Sequence, residues 1–119
     1  MHALIIEDEA LIALAIQDAL RDSGCSSFDF ATSLDDAVAS AKRRCPDLIT
    51  ADVRLAPGSG IDAVERICSR KKIPVIFITA TGEEVRVRLP EEMIVAKPFS
   101  ASDIVAAVRV VTNRPAATP

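Results

Sequence analysis

Short runs of apolar, mostly β-branched residues alternate along this chain with longer stretches whose apolar positions recur at helical spacing. Ala3-Leu4-Ile5-Ile6 reads as a buried strand, followed by a helix from about Ala10 to Ser23 with Gly24 as its stop. Phe28-Asp29-Phe30-Ala31 alternates apolar and polar residues as a short second strand. Ser33 then caps a helix, with Asp36 three residues on in a loose capping-box spacing, and Pro46 closes it after about Arg44. Leu48-Ile49-Thr50-Ala51 predicts a third strand, and residues 56–60 a loop. A helix is expected from Ile61 to Arg70, with Ile61, Val64, Ile67 and Cys68 on one face. Pro74 to Thr79 is the most strand-like run, and Met93-Ile94-Val95-Ala96 is a fifth strand. The last helix starts near Ser100 and fades by Asn113, leaving residues 114–119 as an expected disordered tail.

Strands alternating with helices imply parallel pairing, because parallel neighbours need crossover connections. Near-continuous apolar strands point to a sheet covered on both faces, and right-handed crossovers make it doubly wound. The 119 residues have the length of one domain. With four Phe, no Tyr and no Trp, the core must be built from Ile, Val, Leu and Ala. Cys25, Cys45 and Cys68 follow no zinc-ligand spacing and read as reduced, small hydrophobic residues near helix ends. A net charge of −3 offers no basic surplus for a phosphate backbone. Lys42-Arg43-Arg44 and Arg70-Lys71-Lys72 read as cations ending helices, where they complement the dipole. No direct nucleic-acid or membrane partner is expected. The start of the chain lacks the basic and apolar regions of a secretory signal, so a cytoplasmic protein is expected.

In open parallel sheets, sites form beyond the carboxyl ends of the strands. The residues just past the predicted strands are Glu7 and Asp8, Asp52, Thr79 and Lys97. Each alone has a plain structural explanation as a helix-opening acid, a turn residue, a strand end or a solvated loop charge. Together they place carboxylates, a hydroxyl and an amine at one edge. Crowded carboxylates repel unless neutralised, and a hard divalent cation with oxygen ligands does this.

Ile5-Ile6-Glu7-Asp8-Glu9, Asp52, Thr79-Ala80 and Lys97-Pro98-Phe99 together resemble the defining motifs of response-regulator receiver domains, from Leu4 to about Val111. The resemblance implies a flavodoxin-like α/β fold, a doubly wound five-stranded parallel sheet in the order 2-1-3-4-5, with the domain spanning residues 1–113. It implies Asp52 as phosphoacceptor and Mg²⁺ (or Mn²⁺) held by Asp8, Asp52 and the backbone carbonyl of Arg54, with Glu7 acting mostly through water. Thr79 and Lys97 would contact the phosphoryl oxygens, the peptide before Pro98 would be cis, and Arg54 and Thr81 would set the lifetime of the phosphorylated state. The expected partner is a histidine kinase or phosphotransfer protein, with Leu11, Leu14 and Phe99 as docking candidates. The last helix is a candidate for a homodimer contact.

Three features depart from the family pattern. Ile94 stands where the family often has a switch aromatic. The stretch from Thr79 to Lys97 is short by roughly one helical turn and its apolar period is nearer two, so a short, distorted or mobile fourth helix is expected. Pro57 lies one place later than usual, while the distance to Gly60 is preserved. The sequence carries no output domain and fits a stand-alone receiver or a fragment of a longer regulator. Residues around Leu4–Ile12 and Pro74–Ala80 also resemble receivers of the bacterial general stress response. The alternatives are a pseudo-receiver that binds a partner without phosphorylation, an aspartate-nucleophile phosphatase and a flavodoxin-like cofactor binder. Asp52-Val53-Arg54 lacks the second Asp that the phosphatase needs, and Glu7-Asp8-Glu9 would repel a cofactor phosphate.

Overall fold

The computed structural model describes residues 1–55 and 58–113. Its elements are β1 (His2–Ile6), α1 (Ala10–Asp22), β2 (Ser27–Ala31), α2 (Leu34–Arg43), β3 (Leu48–Ala51), α3 (Gly60–Ile67), β4 (Val75–Thr79), α4 (Glu83–Arg88), β5 (Met93–Ala96) and α5 (Ala101–Thr112). All strand pairings are parallel, in the order β2-β1-β3-β4-β5. This is the flavodoxin-like doubly wound sheet that the sequence predicts. Ala56, Pro57 and the expected tail at 114–119 lie outside the described residues.

Side-chain alternation along the strands divides the core into two layers. Ala3 and Ile5 of β1, Leu48 of β3, and Ile76 and Ile78 of β4 face Ala13, Ile16 and Leu20 of α1 and Ile104 and Val108 of α5. Leu4, Ile6, Ile49 and Phe77 face the other way, toward Ala37 of α2, Ile61 and Val64 of α3, and Val85 of α4. Thr50 is also buried, and its hydroxyl finds no hydrogen-bond partner among the described residues.

Local chemistry sets most helix boundaries. Gly24 follows α1 at φ +99°, a left-handed conformation that glycine adopts without strain. The Ser33 hydroxyl accepts from the Asp36 amide, while the Asp36 carboxylate reaches back to the Thr32 amide. At α5 the box is complete, because Ser100 and Asp103 satisfy each other's backbone amides.

Several boundaries differ from the sequence reading. β1 begins at His2, whose ring is buried between the Ser27 hydroxyl (2.8 Å) and the Asp29 carboxylate (2.9 Å) on β2. α3 stops at Ile67 with Cys68 as its cap, because residues 69–72 offer nothing apolar to bury. Arg70, Lys71 and Lys72 therefore lie beyond that helix, and Arg66 is the cation in its last turn. Of the cysteines, Cys25 is buried and Cys68 is half-buried, but Cys45 is exposed, with the Lys71 ammonium 3.8 Å from its sulfur.

The fourth helix is short, at six residues. Its valine alternation has a simple outcome, since residues two apart lie on nearly opposite sides of a helix. Val85 is fully buried and Val87 is 82% exposed. At its far end Arg88 reaches α3 through ion pairs with Asp62 and Glu65.

Candidate functional site

All five strands end at one edge of the sheet, and four of them deliver parts of the site there. Glu7 and Asp8 follow β1, Asp52 follows β3, Thr79 closes β4 and Lys97 follows β5. Backbone bonds hold these ends level: Asp52 N–H donates to the Ile6 carbonyl (3.0 Å) and Lys97 N–H to the Thr79 carbonyl (3.1 Å). The turn after β3 is closed by Gly60 N–H donating to the Val53 carbonyl at 2.9 Å. A Cβ at Gly60 would lie 1.7 Å from the Asp52 carbonyl oxygen, so only glycine permits this approach.

The Lys97 ammonium stands between two carboxylates, donating to Glu7 Oε1 at 2.7 Å and to Asp52 Oδ2 at 2.8 Å. Glu7 and Asp52 are only 3% and 9% exposed, whereas Asp8 is open to solvent. Glu7 Oε2 also accepts the Glu9 amide, and Asp52 Oδ1 the Arg54 amide at 3.4 Å. Burial pushes the Glu7 carboxyl above its ordinary value, and the nearby Asp52 charge adds to this against the opposing pull of Lys97 and the Glu9 amide. Burial works against the Lys97 charge, yet hydrogen bonds and charge from Asp52 and Glu7 prevail and hold its ammonium above the usual lysine value.

One oxygen from each of Glu7, Asp8 and Asp52 lies within 4.8 Å of the others, a donor set that suits a hard divalent cation. A cavity of about 310 Å³ opens over the group, lined by Asp8, Asp52, Thr79 and Lys97, with Arg54 and Thr81 also in its wall. Thr79 is buried, and its hydroxyl lies 3.2 Å from that of Thr81. The Lys97–Pro98 peptide is cis.

The other candidate residues lie elsewhere. Ile94 is half-buried and lines a second cavity, of about 620 Å³, which shares Thr79 and Thr81 with the first. Leu11 and Leu14 are exposed on α1, at 82% and 51%. Phe99 packs partly buried against the core beneath α1 and α5. Val110 of α5 is 46% exposed. Two positions were noted in the sequence without a role in the site. Glu9 lines the first cavity, and the run Glu7-Asp8-Glu9 carried the signal. Gly60 sets the backbone of Asp52, and its fixed distance from that residue was the clue.

A doubly wound parallel sheet here gathers acids, a hydroxyl and an amine at its carboxyl edge, a constellation that suits a hard cation and does not resemble a glycine-rich phosphate cradle. The sequence matches the response regulator receiver domain family over residues 3–109. The chain belongs to that family. It is a receiver domain of two-component signal transduction, a signalling switch rather than a conventional enzyme.

Among curated relatives, the phyllosphere-induced regulator PhyR of Methylorubrum extorquens is 40% identical over 114 residues, covering 88% of this chain and 41% of its own length. The receiver domain of Erythrobacter litoralis PhyR, solved in solution, superposes with a TM-score of 0.86 at 36% identity, covering 98% of this chain and 95% of that one. The receiver domain of the sensor histidine kinase PA1611 from Pseudomonas aeruginosa, solved with magnesium coordinated in its active-site cleft, has a TM-score of 0.78 at 26% identity. Its match covers 92% of this chain and 95% of that one. The chain spans about half the length of the curated relatives it matches. No helix among the described residues is long and apolar enough to cross a membrane.

Proposed function

We propose that Asp52 is the phosphoacceptor of a magnesium-dependent switch and that residues 1–113 form the phosphorylatable unit. The observation that carries this is the Lys97 ammonium bonded to Glu7 and Asp52 while Asp8 adds a third carboxylate to the cluster. Mg²⁺ or Mn²⁺ would be held by Asp8, Asp52 and the Arg54 carbonyl, with Glu7 acting through a bound water. When bound, the cation supplies positive charge that neutralises the transferring oxygens.

Asp52 contributes the nucleophile. One carboxylate oxygen attacks the phosphorus of a phosphohistidine or small phosphodonor, the bond to the donor breaks, and its electron pair leaves with the donor. Lys97 is free to exchange one carboxylate for a phosphoryl oxygen without leaving its position, because Glu7 still holds it. Thr79 offers its hydroxyl to a second phosphoryl oxygen. Arg54 and Thr81, in the cavity wall, are placed to govern water access and thus the lifetime of the acyl phosphate.

The phosphodonor partner is a histidine kinase or phosphotransfer protein in the cytoplasm. Leu11 and Leu14 present apolar surface on the helix that follows the acidic turn, and Phe99 follows the cis-proline turn. A solved PhyR, 39% identical to this chain, is a stress response regulator, and the similarity supports a stress-response role here, with phosphorylation switching protein–protein contacts.

The test is phosphorylation of the purified chain by acetyl phosphate, with and without Mg²⁺, read by intact mass beside Asp52→Ala. A single-phosphate gain that needs magnesium and vanishes in Asp52→Ala is expected. No gain from acetyl phosphate or from a phosphorylated histidine donor would leave a pseudo-receiver that binds partners without phosphorylation.

A further inference from the structure

A polar cluster at the opposite edge of the sheet has no part in the site above. His2 opens β1 and Ser27 opens β2, and the strand register sets them side by side. The His2 ring is 5% exposed and lies between Ser27 Oγ, 2.8 Å from Nδ1, and Asp29 Oδ2, 2.9 Å from Nε2. The His2 backbone N–H donates to Asp47 Oδ2 at 2.8 Å, which fixes the strand end that carries the ring.

A carboxylate only accepts, so the neutral ring carries its proton on Nε2 and turns the lone pair of Nδ1 toward Ser27. The Ser27 hydroxyl then donates to Nδ1. It also accepts from the Arg44 guanidinium at 3.1 Å, which leaves its second lone pair available. Hydroxyl, imidazole and orienting carboxylate thus stand in the order that activates a serine nucleophile, with the two ring nitrogens exchanged relative to serine proteases. The reacting end is accessible, since Ser27 and Asp29 are half-buried and Arg44 is exposed. Arg44 closes the run Lys42-Arg43-Arg44 at the end of α2, all of it exposed. A cationic rim beside a primed hydroxyl suits an anionic acyl donor, whose phosphate the guanidinium can bind in bidentate fashion.

We propose that Ser27 is an acyl acceptor for donors of the acyl phosphate class, with His2 as its general base and Asp29 as the positioning residue that holds the reactive tautomer. Ser27 Oγ attacks the carbonyl carbon while its proton passes to His2 Nδ1. The bond from that carbon to the phosphate oxygen breaks, and its electron pair leaves with the phosphate, which then takes the proton from the ring. The products are a Ser27 ester and inorganic phosphate. The reaction is independent of Asp52, which attacks the same class of donor at phosphorus.

The test incubates the native chain with acetyl phosphate and a magnesium chelator at about pH 8, where an ordinary imidazole is neutral. Peptide mass mapping then locates the acetyl groups. An ester at Ser27 is expected, formed at least about a hundredfold faster than in His2→Asn, since a general base contributes roughly 10²–10⁴-fold. Asp29→Asn should slow it at least about tenfold and, by ¹⁵N NMR, move the His2 ring proton from Nε2 to Nδ1. Far-UV circular dichroism checks the fold of each variant, and Asp29→Asn, at a half-buried position, carries the comparison if His2→Asn does not fold. Acetyl groups on lysines alone would overturn the proposal. Equal Ser27 acetylation in native and folded Asp29→Asn would overturn it too, as would a native ring protonated on both nitrogens, because Ser27 would then face a donor instead of a base.

Discussion

Gly60→Ala is the substitution that ties the loop most directly to the chemistry. Its new Cβ would sit 1.7 Å from the Asp52 carbonyl oxygen, at least about 1.3 Å closer than real Cβ atoms come to a neighbour. The neighbour is backbone on both sides, so no side-chain rotation relieves the contact. Either α3 moves away from the sheet or the Asp52 peptide shifts, and a shift of that size breaks the 2.8 Å bond to Lys97. A misplacement of about 1 Å at a reacting group costs roughly a hundredfold in rate. Overpacking adds about 3 kcal/mol of destabilisation, a large share of the roughly 5–15 kcal/mol that holds a domain together.

Gly58→Ala separates the two effects. Gly58 has φ +102°, and its Cβ would come 2.6 Å from Leu34 Cβ, so this variant is also strained, but its clash is with α2 rather than with Asp52. Urea unfolding should show comparable losses for the two. Initial rates of magnesium-dependent phosphorylation, normalised to the folded fraction by far-UV circular dichroism, should fall about a hundredfold for Gly60→Ala and less than about fivefold for Gly58→Ala. A folded Gly60→Ala protein phosphorylated at the native rate would refute the reasoning. Equal rate losses in both variants would place the effect in the loop generally rather than in the Gly60–Asp52 contact.

Thr50→Val should raise the melting temperature by roughly 3–6 °C, since the buried hydroxyl is unpaired among the described residues and its removal is worth about 1 kcal/mol. A lower melting temperature would mean that the hydroxyl has a partner after all. Asp47 accepts the His2 amide at 2.8 Å, and that bond holds its carboxyl below the ordinary value of 3.8. A depressed folded-state value contributes stability that is fully present above the unfolded value and is lost as pH falls through the folded one. The stability gap between native and Asp47→Asn, followed by urea unfolding against pH, should be constant above about pH 5 and shrink below about 3.8. Ser100→Ala removes one arm of the capping box on α5 and should cost about 1 kcal/mol in urea unfolding, with phosphorylation unchanged.

Much of this fold was legible because its signals are local. The third and fifth strands match their predicted bounds residue for residue, each ending just before a polar site residue. The misplaced boundaries have tertiary causes. His2 extends β1 because Ser27 and Asp29 on the neighbouring strand satisfy its ring, and a single sequence does not show which strands are neighbours. α3 stops early because apolar surface runs out after Cys68, although the helical pattern continues formally through Arg70. The exposure of Cys45 has the same origin, since its identity as a small apolar residue said nothing about which side of the α2–β3 turn it would occupy.

The site separates in the same way. Its parts were legible because a parallel sheet converts a rule about chain position, the residue after each strand, into a rule about space. What the sequence withheld is which partner each polar atom takes when several are within reach. Nothing in the residue order says that Lys97 divides itself between Glu7 and Asp52, leaving Asp8 without a bond to it. Nor does it say that the Thr79 hydroxyl oxygen accepts the Thr81 amide. Those choices distinguish a rigid acidic cluster from a switch. A lysine anchored to Glu7 can give up its bond to Asp52 without losing its place. Glu7→Gln should therefore change magnesium-dependent phosphorylation, read by intact mass, more than it changes the urea unfolding midpoint.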